Sequence, residues 1–208
     1  ELAAKRIAFG KLLNCGQTCV APDYILVERS VKDEFLVYLK KWIVRMYGAD
    51  ATENDAYVKM INQKHFDRVT GLIDPEKVVF GGGWNERTMQ IQPTILDDVT
   101  AEDAVMQEEI FGPIFPILPV DSMAEAEEFI RKREKPLALY LFTQNKALAE
   151  RFLRYVPFGG GCINDTIIHL ATSRMGFGGV GGSGMGSYHG KKSFETFSHE
   201  KSIVNKHT

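Results

Sequence analysis

The sequence contains no run of apolar residues as long as a membrane-spanning helix, which needs about 18 or more. It also has no strong excess of charge, because 25 Lys and Arg against 27 Asp and Glu leave a formal net charge of −2. This balance gives no electrostatic reason to expect nucleic acid or an anionic membrane as a partner. No signal-peptide pattern opens the chain, and three cysteines cannot all pair with one another. We therefore expect reduced thiols and a cytoplasmic location.

Internal repeats and low-complexity linkers are absent as well. The histidines show no pairing with cysteines or carboxylates at zinc-ligand spacing, so we expect no metal. A chain of 208 residues with 44% hydrophobic residues has the size and composition of one large globular domain. The chain starts with Glu1 inside a predicted helix, which favours a piece of a longer protein.

Hydrophobic spacing predicts strands that alternate with helices. The predicted strands are residues 24–28, 78–80, 89–96, 115–120, 137–142 and 162–164. The first helix, residues 1–13, has apolar residues on two faces and should be mostly buried. A second helix over residues 31–46 should start at a capping box of Ser30 and Asp33 and should place its aromatic stripe in the core. Later helices are expected to start at the caps Asn62, Ser122 and Asn145.

Strands that alternate with helices imply parallel pairing through right-handed crossovers. The predicted fold class is therefore α/β, with an open, mostly parallel sheet between two layers of helices.

Residues 10–24, GKLLNCGQTCVAPDY, hold two of the three cysteines. The helical pattern stops at Asn14 and a strand begins near Tyr24, so Cys19 lies on the connection between two regular elements. A reactive cysteine needs partial exposure to attack as a thiolate, and a connection provides it. Many free cysteines are simply packed, so spacing alone leaves both interpretations of Cys19 open. Cys15 and Cys162 are predicted to be packing residues.

Two further segments have patterns that invite a functional interpretation. Glu108 and Glu109 open the block EEIFGP, but adjacent side chains on an extended segment point apart, so the block alone indicates a surface pair before a turn. Gly179, Gly181 and Gly184 fit the dinucleotide motif G-x-G-x-x-G. We reject this match, because residues 185–208 are too few for the βαβ unit that the motif requires.

The GQTCVAPDY run, the EEIFGP block and the tail FGGVGGSGMG with YHGK behind it together resemble the aldehyde dehydrogenases, especially the class 3-like branch. The resemblance implies the α/β catalytic domain of that family, an aldehyde substrate and NAD or NADP as cofactor. It implies that Cys19 is the nucleophile, that Glu109 hydrogen-bonds the nicotinamide ribose and that Phe111 packs beside the nicotinamide. It also implies that the glycine-rich tail is a close-packed loop near the mouth of the active site.

In this family the cysteine thiolate attacks the aldehyde to give a thiohemiacetal, hydride leaves for the nicotinamide ring of NAD or NADP, and water then hydrolyses the resulting thioester. The backbone N–H of Cys19 is the expected oxyanion donor. The general base, the oxyanion asparagine and the coenzyme-binding half would lie upstream of residue 1, so we expect the fragment to be inactive by itself. The resemblance also implies a homodimer, with residues 1–197 as the catalytic thiol domain and residues 198–208 as the strand or tail of an oligomerisation flap.

Two alternatives stay open at this point. Cys19 could act with His169 or His189 as a cysteine hydrolase. Alternatively, the isolated fragment is an inert folded module or an assembly domain.

Overall fold

The computed structural model of the chain describes residues 1–207. Within them the helices are α1 (Leu2–Leu12), α2 (Arg29–Tyr47), α3 (Gln63–Thr70), α4 (Met123–Arg131), α5 (Lys146–Tyr155) and α6 (Lys191–Thr196). The strands are β1 (Ile25–Glu28), β2 (Val78–Phe80), β3 (Trp84–Asn85), β4 (Gln90–Ile91), β5 (Thr94–Leu96), β6 (Ile114–Val120), β7 (Ala138–Leu141) and β8 (Gly160–Ile163).

The main sheet has the strand order β1-β6-β5-β2. β6 pairs in parallel with both β1 and β5, and β2 joins the edge in the antiparallel sense. β7 and β8 form a separate parallel pair, and β3 and β4 an antiparallel pair. The predicted α/β class with mostly parallel pairing is confirmed, although the pairing is divided among separate sheets.

Helices α2 and α4 pack against the main sheet. α2 packs against β1 and β6, and α4 packs against β6, where Phe129 meets the ring of Tyr24 edge to face at 5.7 Å. The aromatic stripe of α2 packs against the core as predicted, with Phe35, Tyr38 and Trp42 partly buried there. Burying a large apolar side chain stabilises the fold by about 1.5–3 kcal/mol. The packing of α2 therefore helps to fix α1 and β1, the two elements that the cysteine segment connects.

β6 continues through Pro116 and Pro119, where the sequence suggested interruptions. Residues 114–116 pair with β5, and residues 117–120 pair with β1. Each half of β6 therefore has a neighbouring strand on one side only. The nitrogen of a proline, which carries no hydrogen to donate, can face the side without a partner. This arrangement lets two prolines, which usually occur at sheet edges, lie in a strand between two neighbours.

The predicted capping box at Ser30 and Asp33 is wrong. α2 starts at Arg29, directly after β1, and its N-cap residue Glu28 makes no side-chain cap bond. Strand and helix therefore meet without the turn that a Ser30 cap would need. The other three caps are confirmed, because Asn62, Ser122 and Asn145 accept the backbone N–H of His65, Glu125 and Leu148.

The prediction that α1 is buried on both apolar faces is wrong for one of them. Leu2, Phe9 and Leu13 are exposed, whereas Ala4, Ile7 and Ala8 lie in the core. The buried face pairs with α2 and also meets the chain near β8, where Thr166 donates its hydroxyl to the carbonyl of Arg6 at 2.8 Å.

The tail after α6 is exposed over residues 198–207 and forms no strand there. Several apolar side chains of α6 and of the residues after it are exposed: Phe194, Phe197, Ile203 and Val204. Residue 208, the last of the predicted flap segment 198–208, lies outside the described residues. The division into a catalytic domain over 1–197 and a flap stays a prediction.

Candidate active site

The helix that carries the cysteine segment ends in a left-handed turn. Asn14, Cys15 and Gly16 have φ values of 53°, 56° and 75°. A non-glycine residue in this region is uncommon and strained, so two in a row need support from their surroundings. That support comes partly from Asn14, whose Nδ2 donates to the carbonyl of Gln17 at 3.0 Å.

Gly16 is the point at which the cysteine segment meets the EEIFGP block. A Cβ atom at Gly16 would collide with the backbone carbonyl of Gly112. Gly112 in turn lies against Val69 of α3, where a Cβ atom would come within 2.7 Å of the Val69 side chain. Glycine at position 16 therefore allows two backbone segments to touch directly, and glycine at position 112 leaves room for the Val69 side chain.

Gln17 fixes the turn to the rest of the chain. Its Nε2 donates to the carbonyls of Asn14 at 3.2 Å and Lys59 at 3.1 Å, and its Oε1 accepts the N–H of Ile61 at 2.9 Å. Three hydrogen bonds from one side-chain amide hold the residue two positions before Cys19 in one orientation.

Cys19 is exposed and lies in a turn that the N–H of Ala21 closes on the carbonyl of Thr18 at 2.9 Å. Behind it, Val20 is fully buried, and its carbonyl accepts the hydroxyl of Tyr140 at 2.6 Å. Among residues 1–207 the N–H of Cys19 donates to no backbone or side-chain acceptor. The structure thus places an accessible thiol beside a free backbone donor on a turn that is anchored from below.

The other two thiols have different surroundings. Cys15 is fully buried as predicted, and burial raises the pKa of its thiol to about 11, although a hydrogen bond with Tyr57 at 3.4 Å acts in the opposite direction. Cys162 lies in β8, and burial raises its pKa as well. Both groups are protonated at neutral pH, so neither is a ready nucleophile.

Neither histidine of the hydrolase alternative contacts Cys19. The Nδ1 atom of His169 lies 3.7 Å from the sulfur of Cys162, and burial lowers the pKa of His169. His189 stacks on Phe177 with ring centroids 5.5 Å apart. Over residues 1–207 the thiol of Cys19 thus has no imidazole as its base, which disfavours the hydrolase.

The EEIFGP block is held from two sides. Asp23, just after the cysteine turn, accepts the N–H of Ile110 at 3.0 Å. Arg68 of α3 donates to Glu108 Oε1 at 3.1 Å, to the carbonyl of Glu109 at 3.2 Å and to the carbonyl of Ile110. Glu108, for which we predicted no role, therefore forms an exposed ion pair with Arg68.

This anchoring leaves Glu109 and Phe111 free to face outward. Glu109 is exposed, yet partial burial raises the pKa of its carboxyl and Asp23 adds to the rise, whereas Lys11 and Arg68 lower it. Phe111 has a φ of 48° and is 37% exposed. An acceptor carboxylate and an exposed ring two residues apart fit the ribose and the nicotinamide that the resemblance assigned to them.

The glycine-rich tail closes on itself. Phe177 and Tyr188 exchange backbone hydrogen bonds at 2.7 and 2.9 Å, and Cβ atoms at Gly178 and Gly179 would collide with backbone inside the same loop. Between Phe177 and Tyr188 the chain forms only a single 3₁₀ turn, over Gly181–Ser183, and no βαβ unit. A row of rings from Tyr140 through His169 to Phe177 connects this loop to the anchor behind Cys19.

Several supporting residues were missed by the sequence interpretation. Lys11 shares the buried face of α1 with Ala4 and Ala8, a spacing that was visible in the sequence. Tyr140, Asp23 and Arg68 gave no comparable signal, because their partners are backbone groups far away in the chain.

The fold is that of an α/β domain with an exposed thiol on the connection between its first helix and its first strand. The aldehyde dehydrogenase family model matches residues 1–203, and the chain belongs to the aldehyde dehydrogenase family. It is 51% identical to the 4,4'-diaponeurosporen-aldehyde dehydrogenase of Staphylococcus aureus, over 100% of this chain and 46% of that protein. It is also 51% identical to the dimeric NADP-preferring aldehyde dehydrogenase of Rattus norvegicus, over 98% of this chain and 45% of that protein.

Solved structures give the same picture. The substrate-bound state of Staphylococcus aureus AldH matches with a TM-score of 0.97 and 51% identity, over 100% of this chain and 46% of that one. The NAD-dependent aldehyde dehydrogenase of Sinorhizobium meliloti matches with a TM-score of 0.85 and 25% identity, over 95% of this chain and 40% of that one. The chain thus spans somewhat less than half the length of each of these relatives. No helix within residues 1–207 combines the length and the apolar character that crossing a membrane requires.

Proposed function

We propose that this chain is the catalytic half of an NAD(P)-dependent aldehyde dehydrogenase that oxidises aldehydes to carboxylic acids. The observation that carries this proposal is the exposed thiol of Cys19 beside an unused backbone N–H, on a turn that touches the EEIFGP block. Relatives named as NADP-preferring and NAD-dependent support a nicotinamide cofactor.

In the proposed reaction the thiolate of Cys19 attacks the aldehyde carbon, and the N–H of Cys19 donates to the developing oxyanion. The turn anchored by Gln17 and Tyr140 keeps sulfur and donor in fixed relation, so little reorganisation is needed as charge develops. When bound, NAD or NADP would accept the hydride that the thiohemiacetal carbon releases. Attack of water on the resulting thioester then frees the acid and restores the thiol.

Glu109 and Phe111 are the residues proposed to hold the cofactor. The carboxylate of Glu109 accepts a hydrogen bond from a ribose hydroxyl, and the exposed ring of Phe111 packs beside the nicotinamide. Arg68 and Asp23 position both residues through the backbone of the block. The flap role of residues 198–208, the cytoplasmic location and the homodimer are part of the same proposal.

We also propose that residues 1–208 do not oxidise aldehydes by themselves. The general base and the main coenzyme-binding fold are assigned by resemblance to a preceding half. Loss of a single oxyanion donor typically costs about 10²–10³ in kcat, and losses of base and cofactor binding would compound.

The test compares NADH or NADPH formation from an aldehyde by the chain alone and by the chain joined to an N-terminal half like that of its relatives. The joined protein should be active and its Cys19→Ser variant inactive, whereas Cys15→Ser should retain most of the activity. A joined protein with full activity after Cys19→Ser would refute Cys19 as the nucleophile. Steady turnover by residues 1–208 alone would refute their predicted inactivity.

A further inference from the structure

Tyr140 connects the second parallel pair of strands to the turn that carries Cys19. It lies in β7 between Leu139 and Leu141, which are buried in the small core that β7 shares with α5. Successive side chains point to opposite faces of a strand, so the ring of Tyr140 lies on the other face. There its hydroxyl donates to the carbonyl of Val20 at 2.6 Å. One hydrogen bond thus links the cysteine turn to a sheet with a core of its own.

The carbonyl that Tyr140 holds is part of the turn itself. Because a peptide unit is planar, the carbonyl of Val20 and the N–H of Ala21 lie in one plane. That N–H donates to the carbonyl of Thr18 at 2.9 Å and closes the turn, in which Cys19 and Val20 are the two central residues. The plane is therefore held at both ends, by Tyr140 and by Thr18. A turn fixed in this way leaves the backbone of Cys19 little freedom, and the backbone sets the direction of its thiol and its N–H.

Tyr140 supplies an anchor that no other residue duplicates. Gln17 fixes the chain before the turn, through bonds to Lys59 and Ile61, whereas the chain after Cys19 is fixed by Tyr140. Among residues 1–207, no second donor reaches the carbonyl of Val20. A buried carbonyl that loses its donor is costly, which makes this bond hard to give up.

The hydroxyl acts as a donor and not as a base for the thiol. It is directed at the carbonyl of Val20, and burial raises the pKa of Tyr140, so the proton stays on the oxygen at neutral pH. His169 meets the ring edge to face at 5.8 Å and supports its orientation.

We propose that Tyr140 is a positioning residue for Cys19: its hydroxyl locks the peptide between Val20 and Ala21 and so keeps the thiol and the N–H of Cys19 aimed at one point. The consequence for aldehyde oxidation rests on the function proposed above, whereas the control of the turn does not. A tyrosine that only filled space could be replaced by phenylalanine without any effect on the turn.

The first measurement follows hydrogen exchange of the Ala21 amide by NMR in the 208-residue chain. Tyr140→Phe keeps the ring and removes the donor, so exchange at Ala21 should become about tenfold faster relative to the slowest core amides. The analogue para-aminophenylalanine at position 140 returns an N–H donor and should restore slow exchange. Tyr155→Phe, a change at an exposed tyrosine of α5, should leave Ala21 unaffected. An Ala21 amide that changes no more than the core amides in Tyr140→Phe would overturn the proposal.

The second measurement is the steady-state kinetics of the joined protein with a set of aliphatic and aromatic aldehydes. Tyr140→Phe should lower kcat/KM for the aldehyde about tenfold, less than the loss of a whole oxyanion donor, and should leave KM for NAD or NADP unchanged. The para-aminophenylalanine protein should recover most of the loss. An unchanged kcat/KM in Tyr140→Phe, or an equal loss in both proteins, would overturn the proposal. If the joined protein with Tyr140 oxidises no aldehyde while Ala21 responds as expected, the proposed function fails and the control of the turn by Tyr140 stands.

Discussion

Removing the buried charge of Lys11 should make the protein more stable at neutral pH. The pKa of Lys11 falls from 10.5 to about 8 in the folded protein, and a difference of about 2.5 pKa units corresponds to about 3 kcal/mol of disfavoured charge. Loss of the hydrogen bond that the ammonium donates to the Asp23 carbonyl at 3.4 Å offsets about 1 kcal/mol of that gain. We therefore expect Lys11→Met to raise the free energy of unfolding by about 2 kcal/mol at pH 7.

The gain should depend on pH in a defined window. Below pH 8 both the folded and the unfolded chain hold the proton, so the cost of the charge is present in full. Between pH 8 and 10.5 only the unfolded chain holds it, so Lys11 makes the wild-type protein more stable as pH rises. The advantage of Lys11→Met should shrink through this window and vanish above it.

Urea unfolding of both proteins at several pH values, followed by circular dichroism, measures this difference. Burial also raises the pKa of Tyr57, which is present in both proteins and cancels in the comparison. The pKa of Cys15 is raised to about 11, above this window, so the effect of Lys11 on that thiol enters the comparison only at its upper end. Lys5→Met serves as the exposed control on the same helix. A Lys11→Met protein that is less stable at pH 7, or a gain that stays the same up to pH 10.5, would refute the reasoning.

Two further predictions concern the cysteine segment. Brief iodoacetamide treatment followed by peptide mapping should label Cys19 first and Cys15 last, because Cys19 is exposed and Cys15 is buried; faster labelling of Cys162 would contradict the assignment of Cys19. Gly16→Ala should lower the free energy of unfolding in urea by about 2 kcal/mol or more, since a Cβ would strain a φ of 75° and collide with Gly112. Gly48, with a φ of 90° and open space around it, is the control: Gly48→Ala should cost only the backbone strain. Equal losses in the two glycine variants would show that the contact with Gly112 is unimportant.

Much of the fold could be predicted because local pattern and tertiary environment agree. The helical spacing that runs from Val31 to Met46 and the caps at Asn62, Ser122 and Asn145 all act within a few residues. The capping box at Ser30 failed for a local reason, because α2 begins directly after β1, whereas other failures arose where a distant partner decides the outcome. Pro116 and Pro119 are tolerated because of how β6 divides its pairing, and Phe9 is exposed because only one face of α1 meets α2.

The site shows the same division. Cys19, Glu109 and Phe111 were predicted as site residues from their motifs, and nothing in their spacing showed that the two segments touch. That contact is made by the backbones at Gly16 and Gly112, and a backbone contact leaves no pattern of side-chain types to detect. The sequence spacing places Lys11 on the buried face of α1. Lysine is so rarely buried, however, that this position was not enough to predict that the Lys11 side chain is buried.

The contact between Gly16 and Gly112 has a consequence for attempts to redesign this enzyme family. The obstacle to a larger residue at Gly16 is the carbonyl oxygen of Gly112, an atom that every amino acid carries. No second substitution at 112 can therefore make room for a side chain at 16, and laboratory evolution has no compensating change to find at that position. A graft that brings in a new cysteine turn has to bring the facing segment with it, so the two stretches behave as one transferable cassette despite their separation in the chain.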